Sequence, residues 1–283
     1  MNLYQKQYID PEEIPFALAE AFAYFNDEFG TEYSTDNVKI GFFTFQTFPS
    51  VFRKFCENDF PTWLYEDYEN PNYCIDAQSM ALVEGSNAGI LINISKPFSF
   101  VDWIITLIHE IAHIYAAQTE YGGKNFYREC CCDADLPSEE DMLYIGYSVW
   151  KEYIADYMTA STSIWKLKTL YQYRGEIKRF DAAVTNLKPN SLKAIELVLV
   201  AIFTSKEHFA ANSKEEFIDI LEKKTVLNMD EYRDLIKLIF DHIHNERTAE
   251  HVINDEFIDE LGSHVRKIVI DREFRRFTNN ILF

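Results

Sequence analysis

The sequence predicts an α+β protein that is mainly helical and contains a small mixed or antiparallel sheet. Apolar residues recur at helical spacing in the first 30 residues and through the last third of the 283-residue chain. Two other segments, residues 38–48 and 80–94, are instead rich in β-branched and aromatic residues. We expect the sheet to pack on the most apolar helix, because that helix carries apolar residues around nearly its whole circumference and must be buried.

Composition limits the classes of partner. Hydrophobic residues make up 47% of the chain, which is enough for a core. The 27 Lys and Arg residues face 46 Asp and Glu, so the formal net charge is −19 and phosphate backbones would repel the chain. The sequence therefore predicts no nucleic-acid partner, although a short basic group occurs at Arg272, Arg275 and Arg276.

The N-terminal segment and the cysteines indicate the compartment. The first residues lack a basic region followed by an apolar run, and no stretch of about 18 apolar residues occurs. The sequence thus predicts neither a signal peptide nor a membrane partner. The five cysteines form no disulfide framework, which favours a reduced, cytoplasmic protein. The triplet Cys130-Cys131-Cys132 could form a second metal or redox site, but it lacks paired C-x-x-C spacing.

The first helix has a well-marked start and end. Asp10 is a good N-cap, Pro11 suits the first helical position and Glu13 the third. Gly30 can end this helix. Pro15 comes early enough to be tolerated, although it is unfavourable there.

Strands are predicted next. Residues 38–48 indicate a strand, residues 52–73 allow no assignment, and residues 80–94 indicate a hairpin around Gly85-Ser86-Asn87. The second hairpin strand, Gly89 to Ser95, leads into the most apolar helix. If it lies at an edge of the sheet, an extended peptide can pair with it; alternatively, it only supports the helix.

The most apolar helix, Val101 to Tyr115, contains the sequence His109-Glu110-x-x-His113. Residues four apart lie one turn apart on the same helix face, so both imidazoles can reach one metal ion. Glu110 can approach the open coordination position without being a ligand, where a general base for a metal-activated water must stand. Buried polar groups need partners, and Zn²⁺ is one such partner. Core histidines satisfied by hydrogen bonds are the alternative.

A catalytic zinc site needs a third protein ligand. Glu152 fits best, because it follows His113 by 39 residues on a separate helix that begins near Ser138 and runs to about Trp165. Asp156, one turn further along, could accept the outer N–H of a ligating histidine. An acidic solvated face is the alternative for both residues. Other possible ligands lie in the intervening loop: Glu120, Glu129 and Asp133.

These two helices resemble the gluzincin metallopeptidases, most closely the ImmA/IrrE-like group. That group has an apolar strand ending in Asn, here Ile92-Asn93, then H-E-x-x-H, then a glutamate helix of the form E-x-x-A-[N/D]. This sequence shows Glu152, Ala155 and Asp156 in that pattern. The resemblance covers roughly residues 82–160 and implies a zincin-like core.

The sequence also departs from that group. The gap between the two helices is longer than usual, and no Leu-Met-Pro-like segment follows Ala160. The chain outside residues 82–160 matches no pattern of the group. The predicted division is a metallopeptidase core at residues 1–178 and a helical C-terminal part at residues 179–283, with the boundary between Tyr173 and Pro189.

The expected function is zinc-dependent hydrolysis of a peptide or protein substrate. His109, His113 and Glu152 would hold Zn²⁺, and Glu110 would move the proton. Tyr153 or Tyr157 could donate to the oxyanion, as could downstream histidines at positions 242, 244 and 251. The alternatives are a metal-stabilised, catalytically degenerate zincin that acts as a protein-binding or regulatory module, and a helical scaffold without metal.

Overall fold

The computed structural model describes residues 2–57, 77–81, 88–119, 142–164, 234–235, 237–238 and 255–267. At residues 77–81 and at several positions within residues 142–160, it describes the backbone alone. Helices dominate the described residues, and three strands form one small mixed sheet. The expectation of a mainly helical chain with a small sheet is confirmed for this part of the protein.

Helix α1 spans Ile14–Phe29, preceded by one 3₁₀ turn at Pro11–Glu13. The Asp10 N–H donates to the Glu13 carboxylate at 3.0 Å, as the capping pattern predicts. Because the α-helix begins at Ile14, Pro15 lies in its first turn, where an N–H has no acceptor within the helix. Gly30 ends α1 in the left-handed conformation, with φ 64° and ψ 33°, which confirms the predicted end.

The sheet contains β1 (Lys39–Phe43), β2 (Ala77–Ala81) and β3 (Ala88–Asn93), in the order β1-β3-β2. β3 is parallel to β1 and antiparallel to β2. Two interpretations were open for the strand that leads into the most apolar helix, and the edge position is excluded because β3 has a neighbour on each side. All six residues of β3 are buried, as is usual for a strand with neighbours on both sides and both faces covered.

The hairpin is confirmed in its antiparallel pairing, but its first strand begins at Ala77 rather than at Met80. The predicted turn, Gly85-Ser86-Asn87, lies outside the described residues. β1 is also shorter than predicted, because a turn follows Phe43. The Thr47 N–H donates to the Thr44 carbonyl at 3.0 Å, and the Thr44 N–H donates to Thr47 Oγ1 at 2.8 Å.

Helix α2, Phe48–Cys56, was not predicted. It packs on the sheet through Phe55, whose ring lies over two glycines of neighbouring strands. A Cβ at Gly41 would lie 2.7 Å from this ring, and a Cβ at Gly89 would lie 2.6 Å from it. Both positions must therefore lack a side chain for α2 to lie this close to the sheet.

Helix α3, Phe100–Gln118, is the predicted most apolar helix, and it packs against α1, β2 and β3. Among the described helices, it is the one whose length and composition would suffice to cross a membrane. In this protein, 72% of its apolar window is buried, as is usual for a core helix. The absence of a membrane partner stays a prediction.

Helix α4, Met142–Ser161, confirms the predicted second helix of the site. By Cα packing the chain forms two compact units, the first being Met1–Asp135 with Tyr157–Lys168 and the second Leu136–Asp156 with Thr169–Phe283. α4 contributes residues to both units. The predicted division at residue 178 lies outside the described residues and stays a prediction.

Candidate metal centre

Hydrogen bonds of small polar side chains fix the start of α3. Ser99 caps the helix, since its Oγ accepts the Asp102 N–H at 3.1 Å and donates to the Asp102 carboxylate at 2.6 Å. Just before it, fully buried Asn93 accepts the Ser95 N–H through Oδ1 at 3.0 Å. These contacts hold the short link between β3 and α3, which sets where the helix begins.

Aromatic contacts fix the other end of α3. The Tyr115 ring lies 5.6 Å from that of Phe25 and 5.8 Å from that of Phe29, both on α1. The Tyr33 hydroxyl donates to Gln118 Oε1 at 3.1 Å. Burial, with a smaller contribution from Tyr115, raises the pKa of Tyr33 to about 12. Both ends of α3 are thus anchored, so its middle turns have a defined position.

The two histidines of α3 converge on one point. Their Nε2 atoms are 3.0 Å apart, and their rings are perpendicular with centroids 4.6 Å apart. Two imidazole nitrogens that bind one tetrahedral zinc ion at 2.0–2.1 Å would be about 3.3 Å apart. His109 and His113 therefore already have close to the separation that a shared metal requires.

Glu152, on α4, completes a group of possible metal ligands. One ligand atom from each of His109, His113 and Glu152 lies within 4.8 Å of the others. All three side chains are half-buried. Two imidazoles and one carboxylate form a donor set that suits divalent transition metals, so the residues present fit a metal ion. The predicted ligand group is thus brought together.

Glu110 is the fourth predicted member of the site. It lies on α3 next to His109 and is buried, with 9% of its surface exposed. Among the described residues, few polar side chains are buried to this degree: Asn93, Thr159 and Thr162. A buried carboxylate needs partners, and Glu110 has interactions within the protein.

Several predicted residues lie partly or wholly outside the described part of the chain. The backbone of Tyr153, Asp156 and Tyr157 belongs to α4, while their side chains are not described. The alternative ligands and the cysteine triplet lie outside the described residues: Glu120, Glu129, Asp133 and Cys130-Cys131-Cys132. Their roles stay predictions. Cys56 is a buried cysteine on α2.

Ser99 and Asp102, which fix the start of α3, were not predicted from the sequence. Ser99 and Asp102 form an S-x-x-D pattern, which could have predicted the helix start from the sequence alone. Burial of Asn93 has no such local pattern, because it depends on how β3 is covered.

Comparison with protein-family models, with curated proteins and with solved structures finds no match for this chain. The function must therefore be argued from the geometry of this site.

Proposed function

We propose that the chain is a zinc-dependent metallopeptidase of the H-E-x-x-H type, with a zincin-like core. The observation that carries this proposal is the convergence of His109, His113 and Glu152 within 4.8 Å, with Glu110 adjacent on the same helix. The resemblance to the ImmA/IrrE-like group in the order of strand, helix and glutamate helix supports the same class.

In this proposal His109, His113 and Glu152 hold the ion. Bound Zn²⁺ would act as a Lewis acid that polarises the scissile carbonyl and lowers the pKa of water toward about 7. The Glu110 carboxylate accepts a proton from the attacking water as the new C–O bond forms. The resulting Glu110 carboxylic acid then gives this proton to the amide nitrogen as the C–N bond breaks.

Exposure and burial both favour catalysis over a structural metal. The three proposed ligands are half-buried, so each keeps some contact with solvent, whereas structural zinc sites are closed by four protein ligands. A binding module needs the three ligands but does not need Glu110. Burying the Glu110 carboxylate beside the ligands costs free energy. A role as general base would account for keeping it there.

The sheet supports a peptide as the substrate. No described strand pairs with the outer edge of β2, and α3 contacts β2. An extended peptide can add to such an edge by main-chain hydrogen bonds, which would bring it alongside the helix that carries His109 and His113. β2, rather than the central strand β3, is thus the strand that we propose for substrate binding.

Metal analysis and one substitution test this function. Protein purified without added zinc is expected to carry about one Zn²⁺ per chain. His109→Ala is expected to lose it, and Glu152→Ala is expected to bind it much more weakly. Glu110→Gln keeps the size of the side chain but cannot take a proton. We expect this variant to bind zinc like the parent and to lose hydrolysis by at least about 10²–10⁴-fold.

Unfolded proteins and a library of extended peptides are the first substrates to test, since a strand edge accepts such chains. A zinc-loaded parent that cleaves none of them, and whose Glu110→Gln variant behaves identically in partner-binding assays, would favour the binding module. Cleavage that persists unchanged in Glu110→Gln would identify a contaminating protease. Full zinc in His109→Ala would contradict the assignment of α3.

A further inference from the structure

We propose that the helical segment at residues 255–267, called here the C-terminal helix, positions Glu152. It does so by fixing the first half of α4, the helix on which Glu152 lies. The inference rests on the proposed role of Glu152 as a metal ligand. It assigns a task to a part of the chain that lies more than 100 residues from the ligand in sequence.

The first observation is a backbone contact at Gly146. A Cβ placed on Gly146 would lie 1.9 Å from the carbonyl oxygen of Ile258 and 3.0 Å from the backbone nitrogen of Gly262. Both of these are main-chain atoms of the C-terminal helix, so no flexible side chain can move aside. α4 and the C-terminal helix therefore touch backbone to backbone, and only glycine fits at position 146.

The second observation is an aromatic contact one turn further along α4. Trp150 is fully buried, and its ring meets that of Phe257 edge-on, with centroids 5.4 Å apart. Such pairs contribute roughly 0.5–1.5 kcal/mol beyond the area that they bury. The contact is supported by further buried apolar residues of the C-terminal helix: Ile258, Leu261 and Val265.

Helix geometry relates these contacts to the ligand. Gly146 and Trp150 are four residues apart and share one face of α4. Glu152 follows Trp150 by two residues, which rotates it about 200° around the helix axis, onto nearly the opposite face. The C-terminal helix thus packs on the face of α4 that lies nearly opposite Glu152. Its contact with Trp150 is only two residues from this proposed ligand.

The effect of the C-terminal helix on the metal site follows from comparing two distances: how far α4 would move and how much a metal–ligand bond tolerates. Relieving a 1.9 Å approach to ordinary contact near 3.4 Å requires a movement of about 1.5 Å. Metal–ligand distances tolerate only about 0.2 Å. If α4 moves by even a part of this distance, the Glu152 carboxylate leaves its place relative to the two imidazoles.

The test compares two variants of the supporting contact with one matched control. Gly146→Ala inserts the clashing methyl group, and Phe257→Leu removes the ring beneath Trp150. Phe55→Leu is the matched control. Phe55 and Phe257 are both 6% exposed, and both substitutions remove the same atoms. Phe55, however, packs on the sheet. The readout is Zn²⁺ affinity, measured by competition with a chromophoric chelator on protein whose circular dichroism matches that of the parent.

We expect Gly146→Ala and Phe257→Leu to weaken zinc binding by about 10–100-fold, the usual effect of removing support behind a ligand. Phe55→Leu is expected to leave the affinity unchanged while lowering the melting temperature. If Phe257→Leu folds and binds zinc like the parent, the C-terminal helix does not position Glu152. An equal loss of affinity in Phe55→Leu would also overturn the proposal, since the effect would then reflect general stability.

A double-mutant cycle separates positioning from mere destabilisation. In a Glu152→Ala background, the substitution Phe257→Leu should have no further effect on zinc affinity, because its effect passes through Glu152. Additive losses would contradict the proposal. A protein that binds zinc but hydrolyses nothing would refute the proposed peptidase function and leave this inference intact, because the readout is affinity and not turnover.

Discussion

The fold raises the pKa of Tyr33, and the raised value lies in a pH range in which protein stability can be measured. Its hydroxyl donates to Gln118 at the end of α3, and burial holds its pKa at about 12 instead of the usual 10. In the unfolded chain, the phenol regains its ordinary pKa. The unfolded state therefore releases this proton at a lower pH than the folded state does, and alkaline pH favours unfolding through this residue.

We expect the stability that Tyr33 contributes to be fully present below about pH 10 and to be lost as the pH rises through about 12. In Tyr33→Phe this loss is absent, so the urea midpoint of the variant should decline less steeply than that of the parent between these pH values. Parallel declines in both proteins would show that the Tyr33 phenol titrates normally in the folded state.

The residues of the candidate metal site differ in how far the sequence alone could predict them. His109, Glu110 and His113 were identifiable because their spacing within one helix fixes their geometry, whatever the rest of the fold does. Glu152 required a hypothesis about a second helix, and the group within 4.8 Å agrees with it. The support behind Glu152 was not predictable, because Gly146 and Ile258 are brought together by packing between distant segments.

Helices and strands differ in how much of their placement is local. α1 lies where its caps and apolar periodicity predict it, and α3 lies where its apolar pattern predicts it, since these signals come from neighbouring residues. α2 was missed although Phe48, Phe52 and Phe55 have helical spacing, because the aromatic residues before it favoured a longer strand. The order β1-β3-β2 has no local signature, so the sequence left open whether β3 lies at an edge of the sheet or only supports the helix.

The end of α1 offers a test of one such local signal. Gly30 has φ 64°, and a Cβ there would meet no atom within 4 Å. Replacement by Ala should therefore cost only the conformational strain of the left-handed region, roughly 1–2 kcal/mol of unfolding free energy. Gly30→Asn should cost less, because asparagine tolerates this conformation. Urea unfolding of both variants measures the difference. Equal losses of unfolding free energy would mean that something other than backbone strain determines the effect of replacing Gly30.

At the scale of the whole molecule, the proposed metal would link stability to metal concentration. His113 and Glu152 are 39 residues apart in the chain, so the unfolded state offers no preformed site for an ion. An ion that binds only the folded state stabilises it by mass action. The formal net charge of −19 makes the folded chain repel itself, and a divalent cation reduces that repulsion.

We expect a chelator to lower the melting temperature of the parent and added Zn²⁺ to restore it. At a free zinc concentration 100 times the dissociation constant, the gain in unfolding free energy is about 2.7 kcal/mol. His109→Ala serves as the control and should respond to neither treatment. A parent whose melting temperature is the same with and without chelator would contradict a metal bound selectively by the folded state.

The parallel pairing of β1 with β3 also constrains how the protein is made. Lys39 lies opposite Gly89, so 50 residues of chain must be synthesised before the first of these pairs can close. At ribosomal rates of about 5–20 residues per second, β1 waits roughly 3–10 s for its partner. During that interval its phenylalanines, Phe42 and Phe43, have no sheet to join. We therefore expect this stretch, which precedes α3 by more than 50 residues, to be exposed to aggregation or chaperone binding during synthesis.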